Sequence, residues 1–282
     1  MDEQLRRRSV GAPAARSLLL TVLGEYVLPR RAGIWQETLV AAMVSVGYTQ
    51  QAARQALARS TRDGWLTTER RGRRARLTLT RGTAELLAAG AERIYTFGDP
   101  WQWEGRWLLV TLRVPENRRA VRHQLRSRLA WTGLGSLGSG LWITPHVERE
   151  GELATAIRDQ PVAEARSFVA SLGAIGDPAR LVADAWDLDS VREKYEAFIE
   201  DFSGVRAISP EACFRQQTLL VHAWRKFPFL DPDLPAEVLP PGWPRERAHD
   251  LFVARHERWR EKAVEYFAEL EGELAVREER AA

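Results

Sequence analysis

Gln50, Gln51, Arg54 and Gln55 lie close together in a chain of 282 residues, and all four carry side chains able to read nucleic-acid bases. A glutamine amide both donates and accepts, matching the major-groove edge of adenine, whereas an arginine guanidinium donates twice to guanine. Further along, Arg70, Arg71, Arg73, Arg74 and Arg76 surround Gly72. Cations at that density suit phosphate oxygens or the negative potential of a narrow minor groove. The expected chemistry is duplex binding, in which the first group specifies sequence and the second holds the backbone. The competing reading of the arginines is a solvated, charged turn.

Such side chains act together only if a helix and a hairpin position them. Thr49 can cap a helix in which Ala53, Ala56, Leu57 and Ser60 recur at three- and four-residue spacing, leaving Gln51, Arg54, Gln55 and Arg62 on the opposite face. Asp63-Gly64 provides its end. Residues 65–70 and 74–80 alternate at period two around Gly72, with Leu66, Ala75, Leu77 and Leu79 inward, as hairpin strands do. Upstream, amphipathic helices over 15–27 and 38–46, the second broken at Gly47, complete a helix, turn, helix order. Ile34-Trp35 can add a short strand to the hairpin, and a helix over 80–91 leads out. Residues 1–95 therefore predict a winged helix-turn-helix domain. Its expected DNA contacts are Thr49, Gln50, Gln51, Arg54, Gln55, Arg62, Arg70, Arg71, Arg73, Arg74 and Arg76.

Charge supports that placement. Residues 1–95 hold 16 Arg against 8 Asp and Glu, net +8, so a total of +3 leaves the remainder at −5. A basic binding module joined to an acidic body gives this asymmetry. Arginine outnumbers lysine 38 to 3, so its abundance alone is discounted; its clustering is not. No apolar run approaches the roughly 20 residues that cross a bilayer. Gly24-Glu25 interrupts the apolar stretch behind the charged start, so a signal peptide is not expected. A lone Cys213 excludes an internal disulfide and fits a reducing cytoplasm; it reads as a buried small residue.

The middle of the chain changes character. Residues 107–114 read as a buried strand stopped by Pro115, followed by a helix over 118–129, a strand over 141–144, a helix near 152–159 and a strand near 165–172. This interleaving predicts a ferredoxin-like α+β domain over 96–183. Gly133, Gly135, Gly138 and Gly140 match neither GxGxxG nor a P-loop and read as turn residues. From Trp186 the pattern is helical, over 189–202, 210–224 and 245–276, giving a mainly helical domain over 184–282. Between the last two helices runs FPFLDPDLPAEVLPPGW, whose prolines predict a stiff extended segment pinned by Phe227, Phe229, Leu230, Leu239 and Trp243. The fold class is α+β.

RQALARSTRDGWL at 54–66, GLWITP at 140–145, AWDL at 185–188 and FPFLDPDLP at 227–235 occur in one order, and with that order the chain resembles the PaaX-like transcriptional repressors. The resemblance spans nearly the whole chain, with Arg245, where the family usually has glycine, as a departure. It implies a cytoplasmic homodimer that binds a double-stranded operator, represses a phenylacetate-type catabolic operon, and is released by phenylacetyl-CoA or a related CoA thioester. A ligand moves such an equilibrium only by binding one state better than the other.

The same resemblance brings a rival. The middle domain is similar to CRISPR-associated adaptation nuclease subunits, which place a metal-binding Asp at the end of their first strand. Here the matching segment is Leu112-Arg113-Val114, so a cation stands where a carboxylate is needed, and Glu104 and Glu116 read as surface residues. A protein-interaction or RNA-binding role is a further alternative, although the chain has neither an RNP-type aromatic strand nor a KH-like loop. No catalytic residue, resident cofactor or metal site is expected: the five His, at 123, 146, 222, 249 and 256, form no ligand cluster. Trp101, Trp103, Trp107, Trp142 and Trp186 fall near the proposed domain junctions, where ligand pockets tend to form. The effector candidates are Arg225, Lys226, Trp142 and Trp186.

Overall fold

Apolar side chains recur along the first helix at the spacing of a single face, and that face closes the first core. The computed structural model describes residues 14–115, 118–158 and 164–279; Glu116, Asp159 and the charged start of the chain lie outside them. Helix α1 (Ala15–Val22) buries Leu18, Leu19 and Val22. The helix expected to continue to Val27 instead widens into a π-helical turn over Leu23–Val27 and tightens into a 3₁₀ turn over Leu28–Arg30. The change begins at Leu23, next to Gly24, the weakest helix former of the run. Strand β1 (Ile34–Trp35), helix α2 (Gln36–Ser45), helix α3 (Gln50–Arg62), strands β2 (Leu66–Arg71) and β3 (Arg74–Leu79) and helix α4 (Arg81–Thr96) follow. The strands form an antiparallel sheet of order β1-β3-β2.

The second sheet is built from β4 (Arg106–Arg113), helix α5 (Arg119–Trp131), β5 (Gly135–Gly138), β6 (Leu141–Thr144), helix α6 (Glu150–Arg158) and β7 (Glu164–Ser171). Its order is β5-β6-β4-β7, antiparallel throughout, with β4 central and β7 exposed along its whole length. Alternation along β4 divides its side chains between two cores. Leu108, Val110 and Leu112 join Leu125, Leu129 and Trp142 on one face, while Trp107 joins Ile143, Val182, Leu188 and Leu234 on the other.

The remaining helices are α7 (Pro178–Ala185), α8 (Leu188–Ser203), α9 (Pro210–Trp224), the single turn α10 (Phe227–Leu230) and α11 (Arg245–Glu279). The chain resolves into two compact units, one of residues up to 95 with 202–225 and those from 250 on, the other of 96–201 with 226–249. The helical residues expected to form a third domain are thus shared between them. The reason is apolar burial: Phe214 of α9 and Ala263 and Phe267 of α11 share one core with Leu18, Leu23, Leu39 and Leu57. FPFLDPDLP also departs from a wholly extended course. Pro228 sits in the first turn of α10, where its missing N–H costs nothing, and a 3₁₀ turn spans Ala236–Val238. Phe227, Leu234 and Val238 are buried and Leu239 and Trp243 partly so, whereas Phe229 and Leu230 are exposed. Cys213 is buried, and desolvation raises its thiol pKa.

Candidate nucleic-acid interface

Helix α3 starts where Thr49 turns from extended backbone and its Oγ1 accepts the Ala52 amide at 3.1 Å. Its side chains partition as the spacing predicts: Ala53, Ala56, Leu57 and Ser60 are buried, while Thr49, Gln50, Gln51, Arg54, Gln55 and Arg62 are exposed. Arg54 and Arg62 make no ion pair among the described residues. Arg59 shares the exposed face, reaching Gln55 Oε1 with Nη2 at 3.4 Å. Its place four residues beyond Gln55 and three before Arg62 puts it on the same face by the helical period, and it extends the candidate set.

The helix ends at Gly64, φ +75°, with the Gly64 amide on the Thr61 carbonyl at 3.1 Å and the Trp65 amide on the Ser60 carbonyl at 2.9 Å. Arg16 supports this exit: its guanidinium lies 3.8 Å from the Trp65 ring centre and 2.6 Å from the Asp63 carboxylate. The hairpin closes at the pair Arg71 and Arg74, with Gly72, φ +63°, as the first turn residue. A positive φ at that position suits the right-handed twist of the strands.

The five wing arginines separate into two sets. Arg70, Arg71 and Arg73 are exposed, with Arg71 holding Glu69 through Nε at 3.0 Å and Nη2 at 3.4 Å. Arg74 and Arg76 turn onto the body of the domain instead. Arg74 lies over the Trp35 ring at 4.3 Å and 3.5 Å from Glu37, with only 11% of its side chain exposed. Arg76 donates from Nε to the Gly33 carbonyl at 3.2 Å. The register explains this outcome: Trp35 stands opposite Arg76 in the β1–β3 pair, so the indole covers the face on which Arg74 and Arg76 both project. Trp35 is their receiver, a role that the alternation of β3 alone does not reveal.

The effector candidates are not gathered into one pocket. Arg225 donates from Nη2 to the Ser17 carbonyl at 3.0 Å and hydroxyl at 2.7 Å, and burial lowers its pKa, which marks it as a structural clamp. Lys226 is exposed and belongs to the other compact unit. Trp142 lies in one core beside β4 and Trp186 borders the other, donating from Nε1 to the Gly133 carbonyl at 3.2 Å. A cleft of about 690 Å³ instead takes in Trp101, Trp103, Arg106, His146, Arg149 and Asp233. His222 binds Thr21 Oγ1 through Nδ1 at 3.0 Å within the first core. Among the described residues no group of three or more His, Cys, Asp or Glu is arranged to hold a metal.

Three family models match in succession: PaaX-like protein over residues 14–82, PaaX protein central Cas2-like domain over 100–182, and PaaX-like protein C-terminal domain over 186–269. The chain belongs to the PaaX-like family. The transcriptional repressor PaaX of Escherichia coli (strain K12) is 28% identical over 274 residues, covering 93% of this PaaX-like chain and 85% of the repressor. The solved structure of the Mycobacterium tuberculosis protein Rv0674 superposes with a TM-score of 0.61 at 22% identity, covering 89% of this chain and 97% of that one. That likeness concerns the fold: mixed α and β, with two antiparallel sheets. The first family model ends within the hairpin's exit, so it contains all of α3 and the wing. Among the described residues no helix is long and apolar enough to cross a membrane.

Proposed function

We propose that this PaaX-like protein is a sequence-specific, DNA-binding transcriptional repressor rather than an enzyme, and that α3 and the β2–β3 hairpin are its recognition helix and wing. One observation carries the reading: a Thr49-capped helix presents Gln50, Gln51, Arg54 and Gln55 on its exposed first turns, followed directly by a hairpin tipped with exposed Arg70, Arg71 and Arg73. The first turns of a recognition helix are the part that reaches base edges, and a hairpin of arginines reaches phosphates or the minor groove. The E. coli relative, a transcriptional repressor, supports the regulatory role.

The second sheet supports a ferredoxin-like reading, since its elements run β-α-β-β-α-β with antiparallel neighbours in the order second, third, first, fourth. Arg113 at the end of β4 weighs against a nuclease reading of that fold. The strand end that would present a metal-binding carboxylate presents an exposed guanidinium.

Family membership extends the proposal to its signal. The protein acts in the cytoplasm as a homodimer on a two-fold operator of a phenylacetate-type operon, and phenylacetyl-CoA or a related thioester releases it. A gel shift on the gene's own upstream region tests both parts. Retarded DNA that is freed by one thioester but not by its free acid is the expected result. Failure to retard that DNA, in the presence of a working unrelated repressor control, overturns the repressor reading.

A further inference from the structure

Arg113, Arg122 and Arg126 converge on a cleft of about 450 Å³ beside the second sheet. Arg122 and Arg126 are one turn apart on α5, and Arg113 ends β4. All three are exposed, and none has an ion-pair partner among the described residues. Glu164 faces Arg113 in the β4–β7 register, but its carboxylate is taken by Arg166. None of the described lining residues is acidic; the others include the hydroxyls of Ser136 and Ser139 and the largely buried indole of Trp142. Three like charges drawn together repel one another, so such a cluster is held at a cost that a bound anion removes.

The turn that closes the cleft is unusual in its backbone. Gly138, Ser139 and Gly140 take φ of +85°, +49° and +82° in succession, and Ser139 is not a residue that favours that region. The turn is locked to the strand end, because the Leu112 amide donates to the Gly140 carbonyl at 2.8 Å and a Cβ at Gly140 would stand 2.3 Å from the Leu112 carbonyl oxygen. Glycine is thus required where GLWITP begins, and the turn is fixed against the end of β4 that carries Arg113. The cleft falls within the size range of small-ligand sites.

We propose that the Arg113–Arg122–Arg126 cleft is a binding site for a small molecule bearing two or more phosphate groups. A single phosphate carries about −1.5 to −2 at neutral pH, short of three guanidinium charges, whereas a diphosphate or bisphosphate matches them. A small ligand fits better than nucleic acid. The arginines share a cleft of about 450 Å³ with two serine hydroxyls and an indole, a volume that admits a small phosphorylated ligand rather than a duplex. Where the ligand is the CoA thioester, the site deepens the effector reading and rests on it for the ligand's identity.

Calorimetric titration of the full-length protein at fixed ionic strength tests the site, with inorganic pyrophosphate, coenzyme A and phosphate-free pantetheine as probes. Pyrophosphate and coenzyme A should bind and pantetheine should not. Arg122→Gln/Arg126→Gln, and independently Arg113→Gln in case the helix is disturbed, should weaken both phosphorylated probes on the order of tenfold or more, since each removes charge-assisted contacts. Affinity for duplex DNA should stay within about twofold of the parent. Absence of pyrophosphate binding, or equal binding by parent and variants, overturns the site. So does a parallel loss of duplex affinity, which would assign the arginines to a nucleic-acid backbone. Pyrophosphate bound at the arginines with no thioester able to release operator DNA sustains the site and removes the effector reading. Release from the variants as from the parent does the reverse.

Discussion

Arg245 donates from Nη1 to the Asp233 carboxylate at 2.9 Å, and from Nη2 to the Leu234 carbonyl at 2.8 Å. Arginine at 245 thus ties the start of α11 to FPFLDPDLP. The same guanidinium lies 3.6 Å from Asp231, whose side chain is fully buried and accepts the Tyr195 hydroxyl at 2.6 Å and the Asp233 amide at 2.7 Å. Burial raises the Asp231 pKa, and Arg245 opposes that rise.

A cation at a helix N-terminus is unfavourable by about 0.3–1 kcal/mol, but stripping a buried carboxylate of its partner costs roughly 3–5 kcal/mol. The second effect wins. Arg245→Gly should therefore destabilise the unit by about 3 kcal/mol, the lower end because Tyr195 and the Asp233 amide remain on Asp231. Urea unfolding measures it, and a loss below about 0.5 kcal/mol would show that the bridge is ornamental.

Base reading and backbone holding predict different losses. Arg54→Ala should cost about 1–3 kcal/mol on the operator and flatten the preference for it over random DNA. Arg73→Ala should weaken every duplex alike. Fluorescence anisotropy on both DNAs separates them; equal losses on operator and random DNA would remove Arg54 from the readout set.

Salt resolves the wing arginines further. With roughly four phosphate contacts per subunit in a dimer, log K should fall against log salt with a slope near −7. Arg73→Ala, which removes one contact from each subunit, should reduce the slope's magnitude by about 2. Arg74→Ala, whose guanidinium packs on Trp35 at 4.3 Å, should leave the slope unchanged while lowering the melting temperature. A slope change for Arg74→Ala as large as that for Arg73→Ala would place Arg74 on the phosphates after all.

The contrast between these two residues marks how far the sequence was legible. Period and capping are local, so the buried and exposed faces of α3 could be assigned from Thr49, Ala53, Ala56, Leu57 and Ser60 alone. Whether an arginine on β3 meets solvent or an indole depends on the partner strand and its register, which put Trp35 opposite Arg76. The same limit applies to the cleft arginines. Arg122 and Arg126 are visibly a helical pair, but their meeting with Arg113 requires α5 to be laid against the end of β4, a contact with no local signature. It applies again to the C-terminal helices, whose apolar stripes are plain in sequence while the core each enters is not.

His146 supplies the last test. Its ring is almost fully buried, tilted 33° against the Trp101 ring with centres 4.7 Å apart, with Nδ1 3.1 Å from Glu148 Oε1 and Nε2 3.1 Å from the Asp233 carbonyl. Burial foremost, then Arg149, lowers its pKa, against the opposing pull of Asp233 and Glu148. A histidine depressed in the folded state stays neutral while its unfolded counterpart takes up a proton. It thus contributes stability that is present above the ordinary value of about 6.5 and is lost as pH falls through the lower, folded value. His146→Gln retains a donor for the Asp233 carbonyl but cannot titrate. The stability difference between parent and variant should accordingly be larger at about pH 7.5 than at about pH 5.5, measured as urea midpoints in matched buffers. Carboxylates elsewhere titrate equally in both proteins and cancel. A difference that instead widens in acid would mean that protonated His146 is held by Glu148 and Asp233, and the assigned direction would be wrong.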